Sequence, residues 1–183
     1  RHMPRALDII KGIETDAFAE VRMKNILMIG TGGTIASEMT DDGLTPELTP
    51  EQLLRYVPAI SGLCRVDCLS LFSIDSTNVT PAHWTRIAAA LRENYARYDG
   101  FVISHGTDTM AYTAAALSYL VQRSIKPIVL TGAQKSIYTE DTDARRNLLD
   151  AFCYASDARS HGVCVVFDGR VIAGTRARKM RTK

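Results

Sequence analysis

Nowhere does this 183-residue chain carry an apolar run near the ~20 residues that a bilayer-spanning helix needs. Its N-terminus lacks the apolar h-region of a secretory signal. An excess of one charge is also missing. The 22 basic and 20 acidic residues leave a net +2, whereas a nucleic-acid binder shows a larger, clustered basic surplus. Cysteines are few, and Cys64, Cys68, Cys153 and Cys164 form neither a CxxC pair nor a Cys/His zinc spacing. Their apolar neighbours predict buried, reduced thiols, with Cys64 and Cys68 on one face of a strand. Repeats and low-complexity tracts are absent. These absences argue against membrane, zinc-module, disulfide-scaffold, solenoid and nucleic-acid classes. What remains is a cytoplasmic chain with 46% hydrophobic residues, enough for one core.

Residues 1–22 stand apart. Arg1-His2-Met3 reads as a cloning remnant, Leu7, Ile10, Ile13, Phe18 and Val21 as a short amphipathic helix, and Met23-Lys24 as a natural start. The segment is a leader or an added extension, and 23–183 is the domain. A first strand is expected over Asn25–Gly30. The polar loop from Ser37 to Thr49 shows neither helical nor strand period and reads as a mobile lid. Thr49 is an N-cap, Pro50 the first helical residue, and Gln52 completes a capping box. Leu53, Leu54 and Val57 face that helix inward until Pro58 ends it. A second strand is expected over Cys64–Phe72. Thr80-Pro81 opens a helix in which Trp84, Ile87, Ala88, Leu91 and Tyr95 fall at i, i+3, i+4, i+7 and i+11, placing Trp84 in the core. Strands at Phe101–Ser104, Pro127–Thr131 and Val163–Phe167 alternate with helices at Thr109–Gln122, deeply buried, and Thr142–Ala155, with Leu148, Leu149, Phe152 and Ala155 inward. Asp141, Asp143, Arg145 and Arg146 read as the decoration and cap of that last helix. Asp168-Gly169 suggests a hairpin into Val171–Ala173. The last ten residues hold five basic groups and no stop signal, so the chain reads as cut off.

Alternating strands and helices predict an α/β fold: a three-layer parallel sheet with helices on both faces, of the Rossmann or flavodoxin type. The unbroken apolar strands fit a sheet covered on both sides. In such sheets ligands bind beyond the carboxyl ends of the strands. Polar clusters at 31–37, 73–78, 104–109 and 132–135 all follow strands.

Two of these clusters have the same form. Gly30-Thr31-Gly32-Gly33-Thr34 and Ser104-His105-Gly106-Thr107-Asp108-Thr109 each join a strand end to glycine and hydroxyls. The first is neither a P-loop nor GxGxxG. It serves as an acyl-transfer site, a nucleotide-binding turn or a plain tight turn. Thr34 and Thr107 are weak nucleophiles until a base takes their proton. Glycine-turn N–H groups can stabilise an oxyanion, and Asp108 can hold an ammonium. Such groups suit acyl transfer to water without metal or organic cofactor. His105 reads as a general base or as a structural hydrogen-bonder, and His83 and His161 as surface or capping residues.

Thr31-Gly32-Gly33-Thr34-Ile35-Ala36 and His105-Gly106-Thr107-Asp108-Thr109-Met110 resemble the two signature motifs of the bacterial-type L-asparaginases. Asp75-Ser76-Thr77 resembles the family's substrate segment, and Gly174-Thr175-Arg176-Ala177-Arg178-Lys179 the segment carrying its catalytic lysine. The resemblance spans Met23 to Lys183. It implies that Thr34 attacks the amide carbon of L-asparagine while Thr107, Asp108 and Lys179 assist proton transfer. It also implies that Gly33, Asp75, Ser76, Thr77, Gly106, Thr107, Asp108 and Gln134 line the substrate, Ser76 and Asp108 holding its α-carboxylate and α-amino groups. No metal or cofactor is implied, and the type without a signal peptide is cytoplasmic. A homodimer or homotetramer is implied, because a neighbouring subunit completes the family's site. Two departures stand out. The family's loop tyrosine has no counterpart, Leu44 following Gly43 where it would align, and the smaller C-terminal domain is absent. Related readings are a glutaminase-asparaginase, the asparaginase-like subunit of a tRNA-dependent amidotransferase, and a non-catalytic small-molecule binding domain.

Overall fold

The structure is a computed structural model that describes residues 22–36, 39–40, 43–44 and 48–180. The expected leader helix, parts of the expected lid and the last three residues lie outside the described residues. β1 (Asn25–Gly30), β4 (Arg65–Ser70), β5 (Gly100–Ser104), β6 (Pro127–Thr131), β7 (Gly162–Phe167) and β8 (Arg170–Ala173) form one sheet in the order β4-β1-β5-β6-β7-β8. All neighbours are parallel except β7 and β8, which pair antiparallel. The sheet is therefore mixed rather than wholly parallel. The reversal is local: Asp168 at φ 50° and Gly169 at φ 69° turn the chain back in the manner of a type I′ hairpin.

Burial on both faces explains the apolar runs. Along β1, Ile26 and Met28 pack with Leu53 of α1 (Pro50–Arg55) and with Leu148 and Phe152 of α4 (Ala144–Ser156). Leu27 and Ile29 pack on the opposite face with Ile87 and Leu91 of α2 (Pro81–Asn94) and Leu117 of α3 (Met110–Leu120). Each such side chain contributes on the order of 1.5–3 kcal/mol by leaving water. β4 is an edge strand and is only partly covered, its residues being exposed or half-buried. The expected capping box is present, with Gln52 N–H donating to Thr49 Oγ1 at 3.3 Å and Thr49 N–H to Gln52 Oε1 at 2.8 Å.

Several expectations are corrected. The Ser37–Thr49 loop contains two paired two-residue strands, β2 (Met39–Thr40) and β3 (Gly43–Leu44), too short to show any period. A 3-10 turn at Pro58–Gly62 follows α1. α3 is deeply buried only on one side; Tyr112 and Tyr119, seven residues apart, are 67% and 69% exposed on the other. Trp84 is half-buried, its indole N–H pointing inward to the buried Thr113 Oγ1 at 3.0 Å. Cys64 and Cys164 are buried, Cys68 is half-buried against the core face that holds Cys64, and Cys153 is exposed on the outer side of α4. All four are free. His83 does cap its helix, its Nδ1 accepting Thr80 N–H at 3.1 Å.

In strand-sequence terms the sheet order is 2-1-3-4-5-6, so its direction of growth reverses between β1 and β5. That switch point opens a crevice beyond the carboxyl ends of those two strands. Both glycine–hydroxyl turns begin there.

Candidate active site

The end of β1 is stitched to its neighbours before its turn begins. Thr31 N–H and Oγ1 both donate to the Ser104 carbonyl of β5, at 3.2 and 2.7 Å. Gly30 O accepts Leu71 N–H at 3.0 Å from the chain leaving β4. Thr31 is thus buried and structural. Thr34 is exposed and opens the 3-10 turn Thr34–Ala36, anchored by buried Ile35 and Ala36. Its hydroxyl makes no hydrogen bond among the described residues.

The two turns touch through glycine. A Cβ built on Gly33 would lie 2.5 Å from both the Cα and the N of Gly106, and Gly33 holds φ at +96°. Only a residue without a side chain permits this contact. On its other side Gly106 meets Ser76, where an added Cβ would lie 2.5 Å from Oγ. The ends of β1, β4 and β5 therefore converge on Gly106. Thr34 and Thr107 each follow one of the touching glycines.

The segment after β4 forms a 3-10 turn, Ser76–Asn78. Asp75 Oδ1 accepts Thr77 N–H and Oγ1–H, both at 2.8 Å, and these bonds hold its carboxyl below the usual range. Buried Ser76 is tied by Thr109 Oγ1 donating to its carbonyl at 2.7 Å.

Lys179 reaches the same place from 72 residues away. Its Nζ donates to Thr107 Oγ1 at 3.1 Å and to Asp108 Oδ1 at 2.5 Å. β8 and the 3-10 turn Gly174–Arg176, seated against Ala114 and Ser118 of α3, carry it there. The small residues of α3 allow that approach. Lys179 is 21% exposed and Asp108 45%.

His105 turns inward. It is buried, its Nδ1 lies 2.8 Å from Gly106 O and its Nε2 3.0 Å from Thr113 Oγ1. The carbonyl requires a proton on Nδ1, so the neutral ring accepts at Nε2 from the Thr113 hydroxyl, which itself accepts from Trp84. Burial pushes the imidazole pKa down. With both nitrogens occupied away from the crevice, His105 is the structural hydrogen-bonder, not the general base.

A cleft of about 640 Å³ opens beside Lys179, lined by Thr107, Met110, Gln134, Asn147, Phe167 and Lys179 among others. Gln134 thus shares a cleft with Thr107. Thr34, Gly33, Asp75, Ser76 and Thr77 lie outside that lining. A larger groove of about 880 Å³ runs along α2 and the end of α3 and contains none of these residues. The described residues hold no cluster of three or more metal-ligating side chains. Two residues that sequence reading assigned no such role, Asp143 and Asn147, hold the Gln134 turn. The available signal was an Asp and an Asn four apart at a helix start.

The profile of the family described as asparaginase, N-terminal, matches residues 25–183. The chain belongs to the asparaginase N-terminal family. It is 36% identical over 162 residues to an L-asparaginase of Thermococcus kodakarensis, covering 86% of this chain and 48% of that protein. It is 38% identical over 167 residues to a glutamyl-tRNA(Gln) amidotransferase subunit from Sulfolobus acidocaldarius, covering 86% and 37%. The solved thermostable L-asparaginase from Thermococcus kodakarensis superposes with a TM-score of 0.78 at 35% identity, over 87% of this chain and 48% of that one. A probable cytoplasmic L-asparaginase from Campylobacter jejuni gives 0.72 at 31% identity, over 82% and 46%. This asparaginase-family chain thus spans half or less of the length of these relatives.

Proposed function

We propose that this chain is the catalytic α/β half of an amidohydrolase that converts L-asparagine to L-aspartate and ammonia. The observation that supports it most is Lys179 Nζ within hydrogen-bond reach of both Thr107 Oγ1 and Asp108 Oδ1, beside a turn that carries Thr34. Thr34 Oγ1 attacks the side-chain amide carbon. N–H groups of the glycine turn stabilise the oxyanion. The Thr107–Lys179 pair relays the hydroxyl proton to the leaving nitrogen, and ammonia departs. Water then cleaves the Thr34 ester, releasing aspartate and restoring the hydroxyl. Asp108 keeps Lys179 in place and faces the substrate ammonium, while Ser76 and Gln134 border the bound molecule. No step calls on a metal or an organic cofactor.

The working unit on this reading is cytoplasmic and contains at least two copies, one completing the site of the other. Residues 23–183 form the domain. Among the described residues no helix is long and apolar enough to cross a membrane. The 38% identity to the Sulfolobus amidotransferase protein favours a second reading, in which the same threonine chemistry frees ammonia within a tRNA-dependent amidotransferase.

The test is ammonia release by the full-length protein from asparagine, glutamine and tRNA-linked substrate. Asparagine turnover that falls about 10²–10⁴-fold in Thr34→Ala and in Thr107→Ala supports the first reading. Retained turnover in both variants removes the mechanism. Binding of aspartate without any turnover favours a non-catalytic domain.

A further inference from the structure

We propose that Asn147 and Asp143, at the start of α4, are positioning residues that fix the Gln134 turn and, through Gly132, the Thr107 turn. The inference rests on the amidohydrolase reading above.

Asn147 is almost wholly buried, and every polar atom of its side chain is used. Nδ2 donates to Gly132 O at 3.0 Å and to Asp143 Oδ2 at 3.1 Å. Oδ1 accepts Asp168 N–H at 3.0 Å. The reverse orientation would set oxygen against a carbonyl and a carboxylate, so the amide has one allowed pose. A single side chain therefore joins the chain leaving β6, the hairpin after β7 and the first turn of α4.

Asp143 occupies the N-cap position of α4, but its side chain makes no capping bond, which corrects the reading of it as a cap and helix decoration. Its carboxylate instead accepts Gln134 N–H at 3.1 and 3.0 Å and Lys135 N–H at 3.0 Å. Two successive backbone donors and one amide proton converge on it. Charge-assisted bonds of this kind are about twice as strong as neutral ones.

The link to Thr107 is steric. A Cβ on Gly132 would run into the His105 carbonyl and lie 2.7 Å from Met110 Cε. His105 N–H also donates to Thr131 O at 2.9 Å. The end of β6 is pressed onto the end of β5 two residues before Thr107. If Gly132 moves, the Thr107 turn must move with it. Gln134, Asn147, Thr107 and Lys179 line one cleft, so the pair sets the distance between its walls.

Asn147→Asp in the full-length protein is the discriminating variant. It sets two carboxylates at hydrogen-bond distance and one against the Gly132 carbonyl. Such a pair holds one proton at low pH and repels when both ionise. The expected result is a kcat/KM for asparagine near the wild-type value at pH 5 and about tenfold below it at pH 8, the size of one lost charge-assisted bond. Amide exchange should quicken at pH 8, relative to wild type, in 132–137 and 166–169 and not in β1. Asp143→Asn, which leaves the Gln134 and Lys135 donors a poorer acceptor, should quicken exchange in 132–137 without the pH step. If wild type turns over asparagine and Asn147→Asp follows its pH profile, the inference is overturned. If wild type hydrolyses no amide, the functional reading fails instead. The exchange comparison then decides alone: unchanged protection at 132–137 in both variants overturns the inference, and lost protection there upholds it.

Discussion

Replacing Lys179 by methionine should separate catalysis from stability. The methionine keeps most of the apolar stem and removes the ammonium. The pair with Asp108 is partly exposed, 21% on the lysine and 45% on the aspartate. Ion pairs that water reaches in this way contribute about 0–1 kcal/mol. For a domain of this size 1 kcal/mol moves Tm by roughly 2–4 °C. The loss of a proton-relay group costs about 10²–10⁴ in rate, or roughly 2.7–5.5 kcal/mol of barrier. Lys179→Met should therefore melt within a few degrees of wild type while kcat falls at least a hundredfold. Lys179→Arg refines the test. Its guanidinium preserves charge and can still reach Asp108, but it cannot give up a proton at working pH. Stability should return and kcat should not. The assay is ammonia release at saturating asparagine beside a thermal melt on the same preparation. Wild-type kcat in Lys179→Met refutes the reasoning outright. Full kcat in Lys179→Arg limits position 179 to a positive charge.

Gly33→Ala should lose both stability and turnover. Its backbone sits at φ +96° and the new methyl would meet the Gly106 backbone, for a combined cost of about 2–5 kcal/mol; a melt within 2 °C of wild type contradicts the contact. His105→Gln should flatten the acid side of the stability profile. Burial depresses the folded-state pKa of His105 below its ordinary 6.5. Below pH 6.5 the unfolded chain therefore binds the proton first, and stability falls as pH drops toward the folded value, by at most about 1.4 kcal/mol per unit. Glutamine can still donate to Gly106 O and accept from Thr113 without titrating. Parallel denaturation curves of the two proteins between pH 7 and pH 5 would count against it.

Local chemistry wrote much of this fold visibly into the chain. Asn25–Gly30 is a strand because both its faces are covered, and an unbroken apolar run announces that. Thr49, Pro50 and Gln52 announce a helix start, and Asp168-Gly169 a reversal. The motif pair around Thr34 and Thr107 was legible as a resemblance, and the contact between Gly33 and Gly106 supplies its physical sense. Other features depend on residues far apart in sequence. Only the resemblance of residues 174–179 pointed Lys179 toward Thr107; no local spacing does, since the encounter needs β8, its turn and the small residues of α3. Asp143 reads as helix-start decoration, and Asn147 carries no signal of its own, until β6 is laid beside them. His105 was ambiguous because the direction of a ring is set by Thr113 and Trp84, eight and 21 residues away. The Met39–Thr40 and Gly43–Leu44 strands are shorter than any periodicity can reveal.

The most direct measurement is mass spectrometry of the full-length protein quenched during asparagine turnover. The expected result is a β-aspartyl ester on the peptide that carries Thr34, absent from Thr34→Ala. An ester on Thr107 with Thr34 unmodified, or turnover with no acylated residue at either position, would contradict the nucleophile assigned to the first glycine turn.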